Sequence, residues 1–217
     1  MYLFNRHVRL TGSRLPEAIT MAAELGEHAT QIIGFPMNVW TRSFSPDALS
    51  IVFTAMVPDM ASMEAAADKL NVDGAFQELV EKAMQYVVPG AIDDHLDRVV
   101  YPTEVAPPAT SRLPEYASVA ASTILNGQML RGAALGIEVA QVAEKVTGQT
   151  VSFLAGTTGN YGGVAWLIQY QDITTLERAT EALSTSPEFA AVVERAGQVF
   201  AAVPGGTTET IFRRVIH

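Results

Sequence analysis

Three polar side chains alternate along an apolar segment near the start of the sequence. Asn5, His7 and Arg9 lie within Tyr2–Arg9, whose aromatic and β-branched residues predict a strand. Because alternate strand residues share a face, these three should point the same way, and the more apolar opposite face should meet helices. An imidazole can transfer protons, and an arginine or asparagine can hold an anion or a carbonyl. We therefore predict His7, Asn5 and Arg9 as catalytic residues; the alternative is an inert, hydrogen-bonded histidine with Arg9 in solvent.

Four further residues form the predicted substrate pocket. Trp40 ends one predicted strand, Thr54 lies on the next, and Trp166 and Gln169 lie with opposite parity on a later one. The tryptophans could stack on a flat ligand, although large aromatic side chains also pack protein cores. The Gly-rich segment 157–163 joins two predicted strands and precedes no helix, so it predicts a hairpin or lid rather than a phosphate cradle.

Metal binding is not favoured by the sequence. The chain has no cysteine, which excludes disulfides, thiolate zinc sites, iron–sulfur clusters and a cysteine nucleophile. His95 lies among Asp93, Asp94 and Asp97, and alternation puts His95 and Asp97 on one side of a strand. Such a group is typical of a solvated strand start, so we predict no metal site. The sequence also lacks a serine-hydrolase elbow, a Walker loop and an HExxH motif.

The sequence contains an internal repeat. Residues 59–85 align without a gap with residues 172–198, at an offset of 113, and nine of the 27 positions are identical. Composition alone would give roughly one to three matches. At that offset, the counterparts of the three polar strand residues are Ser118, Ala120 and Ser122. A polar row in one copy and small residues in the other predict an open pocket.

Each copy is predicted to contain a strand, a helix, two strands, a broken helix and a final strand. Ser13 is the predicted N-cap of the first helix, and Ser186 with Pro187 restarts the last one. A proline-rich segment, 102–116, is predicted to be a linker between domains 1–101 and 117–217. The remaining predicted strands are Gln31–Trp40, Ser50–Val57, His95–Tyr101, Ala117–Leu125, Thr150–Gly156, Val164–Tyr170 and Thr210–Ile216, and the second copy's predicted helices are Gln128–Lys145 and Thr174–Phe200.

A βαββαβ unit is ferredoxin-like, and two such units can bury their apolar sheet faces against each other. We therefore predict the α+β class: two ferredoxin-like βαββαβ repeats packed sheet to sheet as an intrachain α+β barrel. With its helix restart at Ser186-Pro187-Glu188-Phe189 and a strand after Pro204-Gly205, the chain resembles the dimeric α/β-barrel superfamily, as a tandem-repeat member similar to antibiotic-biosynthesis-type monooxygenases. That group also includes polyketide cyclases, muconolactone isomerases, haem-degrading enzymes and chlorite dismutases. The resemblance covers nearly the whole chain and specifies a fold rather than a chemistry.

The resemblance implies a small-molecule enzyme: a cofactor-independent monooxygenase, cyclase or isomerase acting on a hydrophobic aromatic or polyketide-like compound. A non-catalytic ligand-binding or assembly protein and a haem-handling protein are the alternatives. Haem-degrading relatives use an Asn, a Trp and a His, which Asn5 and Trp166 match in part, but the second helix of neither copy has a histidine to serve as axial ligand. We therefore predict no cofactor and a hydrophobic small molecule as partner.

Composition limits the other partners. A chain of 217 residues with 48% hydrophobic and 17% charged residues predicts a folded protein with a large core. Its net charge of −9 argues against binding to nucleic-acid backbones. No apolar run reaches ~18 residues and the first ten residues lack the features of a signal peptide, so we expect no membrane span and a cytoplasmic protein. A tandem barrel needs no partner to close, so we expect a monomer or a homodimer.

Overall fold

The computed structural model describes residues 1–44, 48–102, 113–201 and 207–215. The first half of the chain contains β1 (Tyr2–Leu10), α1 (Leu15–Ile33), β2 (Asn38–Ser43), β3 (Ser50–Val57), α2 (Met60–Val72), α3 (Gly74–Ala83), a 3-10 turn (Met84–Tyr86) and β4 (Val87–Tyr101). The second half contains β5 (Tyr116–Thr123), α4 (Met129–Thr147), β6 (Val151–Gly156), β7 (Gly163–Tyr170), α5 (Ile173–Thr185), α6 (Pro187–Ala196) and β8 (Thr208–Arg214).

The fold class is α+β, built from two ferredoxin-like repeats, as the sequence predicts. In the first half of the chain β3 pairs with both β1 and β2, and in the second half β7 pairs with both β5 and β6, all antiparallel. The chain divides into two compact units, Met1–Asp97 with Arg213–His217, and Arg98–Phe212. We refer to these as the first and the second unit. Most of the predicted linker, 102–116, lies outside the described residues, and the division at 101 and 117 stays a prediction.

Helix-breaking residues explain one difference from the sequence prediction. The predicted strand Gln31–Trp40 is wrong in its first part, because α1 continues to Ile33 and ends at Gly34. Gly34 has φ 83° and its N–H donates to the Thr30 carbonyl, a left-handed helix end that glycine adopts without a Cβ clash. The predicted cap Ser13 is also wrong, since Arg14 occupies the N-cap position.

The broken helices match closely between the two units. Asp59 and Asp172 are the N-caps of α2 and α5, and their carboxylates accept the N–H groups of residues three positions later. Asp73 and Ser186 cap α3 and α6 in the same way. These four short polar side chains satisfy otherwise unpaired helix N–H groups, which is why each helix restarts where the aligned segments predict.

The offset of 113 is wrong for the first strand of each unit. In the first unit Arg6 pairs with Phe53, and in the second Ala120 pairs with Trp166. Phe53 and Trp166 are 113 positions apart, whereas Arg6 and Ala120 are 114 apart. The difference arises in the β2–β3 and β6–β7 hairpins: residues 42–50 separate the pair Thr41↔Ile51, and the shorter segment 156–163 separates Ala155↔Val164.

A shift of one residue reverses the direction of every side chain in a strand. The counterparts of Asn5, His7 and Arg9 are therefore Val119, Ala121 and Thr123. Ser118 and Ser122, the predicted counterparts, are buried, and the Ser118 hydroxyl lies 3.0 Å from the Tyr170 hydroxyl.

Candidate functional site

The face of β1 that is turned away from the helices carries a group of polar side chains. We call Asn5, His7, Arg42, His95 and Asp97 the histidine cluster. The His7 and His95 rings meet edge to face, with centroids 5.6 Å apart. Arg42 Nη2 lies 3.5 Å from His7 Nδ1, and Asn5 Nδ2 donates to Asp97 Oδ2 at 2.8 Å. The structure thus joins two of the predicted catalytic residues to the histidine and aspartate of β4.

Burial keeps the His7 imidazole neutral. The pKa of His7 falls from 6.5 to about 4, first because burial penalises the charged ring and then because of the positive charges of Arg42 and His95, while Asp93 opposes the shift. A guanidinium only donates hydrogen bonds, so His7 Nδ1 is the acceptor and Nε2 carries the proton. His7 is therefore half-buried and unprotonated at neutral pH, as a general base requires.

Burial also disfavours the charged form of the Asp97 carboxylate. Burial raises the pKa of Asp97, while the charge of His95 and the hydrogen bond from Asn5 partly offset this. Catalytic sites often contain an acid and a base whose pKa values are shifted by burial and by neighbouring charges. Structural hydrogen-bond networks shift pKa values in the same way.

The predicted pocket residues Trp40 and Thr54 lie on the same face of the first unit's sheet. Across β3, Val52 pairs with both His7 and Trp40, and directly opposed residues share a face. Trp40 Nε1 donates to Thr54 Oγ1 at 2.9 Å, and the Arg214 guanidinium lies 4.4 Å from the Trp40 ring centroid. Burial lowers the pKa of Arg214 to about 10. The Trp40 ring thus stacks on the guanidinium of Arg214, a cation of the protein itself.

The other predicted site residues have different surroundings. Arg9 shares the face of His7 by alternation, but its side chain is exposed. Trp166 lies in the core of the second unit, where its indole Nε1 donates to the Gly136 carbonyl at 2.8 Å. Gln169 is exposed on the opposite face of β7. The two residues of β7 therefore cannot line the same pocket.

A large apolar cavity lies on the other side of the first unit's sheet. Its volume is about 310 Å³, and we call it the helix-side cavity. The residues that line it are Phe4, Arg6, Val8, Leu10, Ala18, Met21, Ala22, Leu25, Ala29, Ile33, Phe35, Met37, Ile51, Phe53, Ala55, Met63, Ala66, Ala67, Leu70, Asn71, Phe76, Gln77, Val80, Ala83, Met84, Tyr86, Val87 and Ile92. A concave, mostly apolar space of this size is typical of small-molecule sites.

Larger side chains fill the corresponding space in the second unit. Phe153, Trp166 and Phe200 pack together, with ring centroids 5.3 and 5.2 Å apart. The strand pairing makes Val39 and Phe53 the first-unit counterparts of Phe153 and Trp166. Both first-unit side chains are smaller, so they leave space beneath the helices.

The helices of the two units also differ in how many side chains they bury. Within the described residues, α3 buries no side chain and α2 buries only Ala66, whereas Leu176 and Ala179 of α5 and Val192 and Ala196 of α6 are buried. Gly136 allows α4 to pack closely against Phe153, because a Cβ at this position would lie 2.2 Å from the Phe153 ring. The helices α2 and α3 of the first unit therefore bury fewer side chains than α5 and α6 of the second.

The Gly-rich segment 157–163 forms the β6–β7 connection, as predicted. It lines a second cavity of about 240 Å³ together with Met129 of α4 and Phe153 of β6. This cavity is smaller than the helix-side cavity, and the loop itself forms much of its wall.

The described residues form no cluster suited to a metal ion, and the helix-side cavity has no histidine that could bind haem. Within the described ranges, no three His, Cys, Asp or Glu side chains lie close enough together to hold a metal ion. No histidine is among the described residues that line the helix-side cavity, so the cavity offers no imidazole ligand for a haem iron. No described helix is long and apolar enough to cross a membrane.

No protein-family model matches the chain, and no curated protein matches it. Several solved structures share its fold. A monooxygenase candidate from Fusobacterium nucleatum subsp. nucleatum has a TM-score of 0.71 at 8% identity, and the match covers 99% of this chain and 92% of that one. An anthrone oxidase-like protein has a TM-score of 0.64 at 11% identity, over 99% and 91% of the chains. A haem-binding protein from Thermus thermophilus has a TM-score of 0.54 at 10% identity, over 99% and 91%.

These likenesses confirm the predicted α+β fold built from two ferredoxin-like repeats. At such low identities they show the fold alone, because proteins with one fold perform many different functions. Two features of the first unit, the histidine cluster and the helix-side cavity, are the candidate sites for function.

Sequence reasoning missed the helix-side cavity and the residues that join His7. The β1 alternation did place Phe4, Arg6 and Val8 towards the helices, where they line the cavity. The smaller size of Val39 and Phe53 than of their counterparts Phe153 and Trp166 was a usable signal, but only once the two units were aligned by their strand pairing.

Proposed function

We propose that the protein takes up a hydrophobic small molecule in the helix-side cavity of its first unit. The supporting observation is the contrast between the two units: about 310 Å³ of apolar space in one, and a packed aromatic core at the same place in the other. Apolar space without packed side chains costs stability, and the second unit fills the counterpart of this space with aromatic rings, so its retention in the first unit favours a ligand-binding role.

A pair of matched variants tests this proposal. Ala67 of α2 lines the cavity, whereas Ala65 on the same helix is exposed and does not. We expect the neutral fluorescent probe N-phenyl-1-naphthylamine to bind the wild type saturably, with one site per chain. Ala67→Trp should abolish that binding and Ala65→Trp should retain it. Equal binding by both variants, or no binding to the wild type, would contradict the proposal.

The proposed reaction class is a cofactor-independent monooxygenase, cyclase or isomerase reaction on an aromatic or polyketide-like compound. Proteins of the same fold described as a monooxygenase candidate and as anthrone oxidase-like support this class. Among the described lining residues only Arg6, Asn71, Gln77 and Tyr86 are polar, so the cavity would mainly bind and orient a reactive substrate. Incubation with anthrones in air, followed by mass spectrometry, tests the class; Ala67→Trp should lose any product that forms.

Catalysis at the histidine cluster is the second candidate. Its support is the neutral, half-buried His7 beside Arg42 and the Asn5–Asp97 pair. In this proposal His7 is a general base, and Asn5 and Arg9 hold an anion or a carbonyl. Because His7 and the cavity residue Arg6 lie on opposite faces of β1, a substrate in the cavity would not touch His7. Loss of turnover in His7→Gln with unchanged probe binding would favour this candidate; unchanged turnover would remove it.

A further inference from the structure

The helix-side cavity has one charged side chain among the described residues that line it. Arg6 lies between Phe4 and Val8 on the helix-side face of β1. Its Nε and Nη2 donate to the two carboxylate oxygens of Asp94, each at 2.7 Å. The two side chains remain 47% and 46% exposed. Arg6 thus connects the apolar interior of the cavity with solvent.

The fold itself does not require this arginine. Ala120 takes the place of Arg6 in the second unit, since Arg6 pairs with Phe53 and Ala120 pairs with Trp166. The second unit folds with an alanine there and fills its core with aromatic rings. The first unit therefore has both the cavity and the arginine, whereas the second unit has aromatic side chains in place of the cavity and alanine in place of the arginine.

We infer that the ligand of this cavity is an amphipathic carboxylic acid, whose apolar body occupies the cavity and whose carboxylate binds Arg6 in place of Asp94. This inference rests on the proposed function and adds the chemical class of the ligand. The planar guanidinium fork of arginine matches a carboxylate with two parallel hydrogen bonds, the geometry that Asp94 already adopts.

Exchange of one carboxylate for the other is energetically feasible. Ion pairs between half-exposed side chains add little to stability, so release of Asp94 to water costs little. The incoming carboxylate restores both hydrogen bonds, and burial of the ligand's apolar body drives the association. A neutral ligand of the same shape gains only from burial and leaves Asp94 in place.

Binding of two matched ligands tests the inference. Decanoate, at a pH where it is ionised, and 1-decanol have the same apolar chain and differ in the head group. Both are titrated against bound N-phenyl-1-naphthylamine, with the full chain in each case. We expect the wild type to bind decanoate about threefold more tightly than the alcohol. Arg6→Gln should bring that ratio close to one and leave the affinity for the alcohol unchanged.

Two further variants make the test specific. Arg195 and Glu138 form a comparable exposed ion pair in the second unit, 56% and 43% exposed, so Arg195→Gln should leave the ratio unchanged. Asp94→Asn removes the competing carboxylate and should raise decanoate affinity by about threefold without affecting the alcohol.

The outcomes separate the inference from the proposed function. A wild type that binds both ligands equally, or an acid preference that survives Arg6→Gln, overturns the carboxylate assignment and leaves the cavity proposal standing. Failure of the probe to bind the wild type overturns the proposed function itself.

Discussion

Giving the first unit the core of the second should close the cavity. The double variant Phe53→Trp/Val87→Phe changes two cavity-lining residues to larger ones. Trp is the residue that the second unit has at its counterpart of Phe53, namely Trp166. The new side chains should occupy part of the cavity, so the variant should be more stable and should bind apolar probes more weakly.

The expected gain in stability follows from the atoms buried. The two substitutions add about seven non-hydrogen atoms, and at about 0.8 kcal/mol for each buried methylene-sized group the upper bound is ~6 kcal/mol. Overpacking strain of about 1–3 kcal/mol opposes it. We therefore expect the free energy of unfolding to rise by ~3–5 kcal/mol, because a cavity of about 310 Å³ can accept both rings.

Urea denaturation followed by circular dichroism measures this stability, and titration with N-phenyl-1-naphthylamine measures affinity. The dissociation constant should rise at least about tenfold. The control Phe53→Leu enlarges the cavity, so it should retain binding while losing stability. A double variant that is less stable than the wild type and still binds the probe would refute the reasoning.

Three other changes have defined outcomes. His7→Gln should flatten the pH dependence of stability. The pKa of His7 is about 4 in the folded state and 6.5 in the unfolded state, so wild-type stability falls as the pH drops through that window, by at most about 3 kcal/mol. Urea denaturation at several pH values measures this loss. Trp166→Phe should destabilise the protein by about 1–3 kcal/mol, since the Gly136 carbonyl loses its donor, yet leave probe binding unchanged in the fluorescence titration. Ser186→Ala should lower the unfolding free energy by about 1 kcal/mol through loss of the α6 cap, against no measurable change for the exposed Ser184→Ala.

Local signals in the sequence were enough to predict much of the fold. The restart of α6 at Ser186 and the boundaries of β3 depend on nearby residues, and both appear where the sequence predicts them. The two faces of β1 also follow from alternation alone, so Arg6 lies towards the helices and His7 away from them.

Features that depend on distant pairing could not be predicted in this way. His95 and Asp97 contact His7 and Asn5 only because β4 lies beside β1, although Asn5 and Asp97 are 92 positions apart in the sequence. The single offset of 113 failed at β1 because one hairpin is a residue shorter than the other. The cavity depends on how the side chains of several elements fill a common volume, and no pattern along the chain specifies that volume.

Methionine methyl groups can report directly where a hydrophobic ligand binds. The chain has eight methionines, and Met21, Met37, Met63 and Met84 line the helix-side cavity, whereas Met129 borders the smaller cavity of the second unit. In an NMR titration of the [ε-¹³C]methionine-labelled protein with 1-decanol, we predict saturable shifts of the signals from these four cavity methionines and none of Met129. Shifts confined to Met129, or no saturable shift at all, would contradict the assignment of the first unit as the ligand-binding half of the protein.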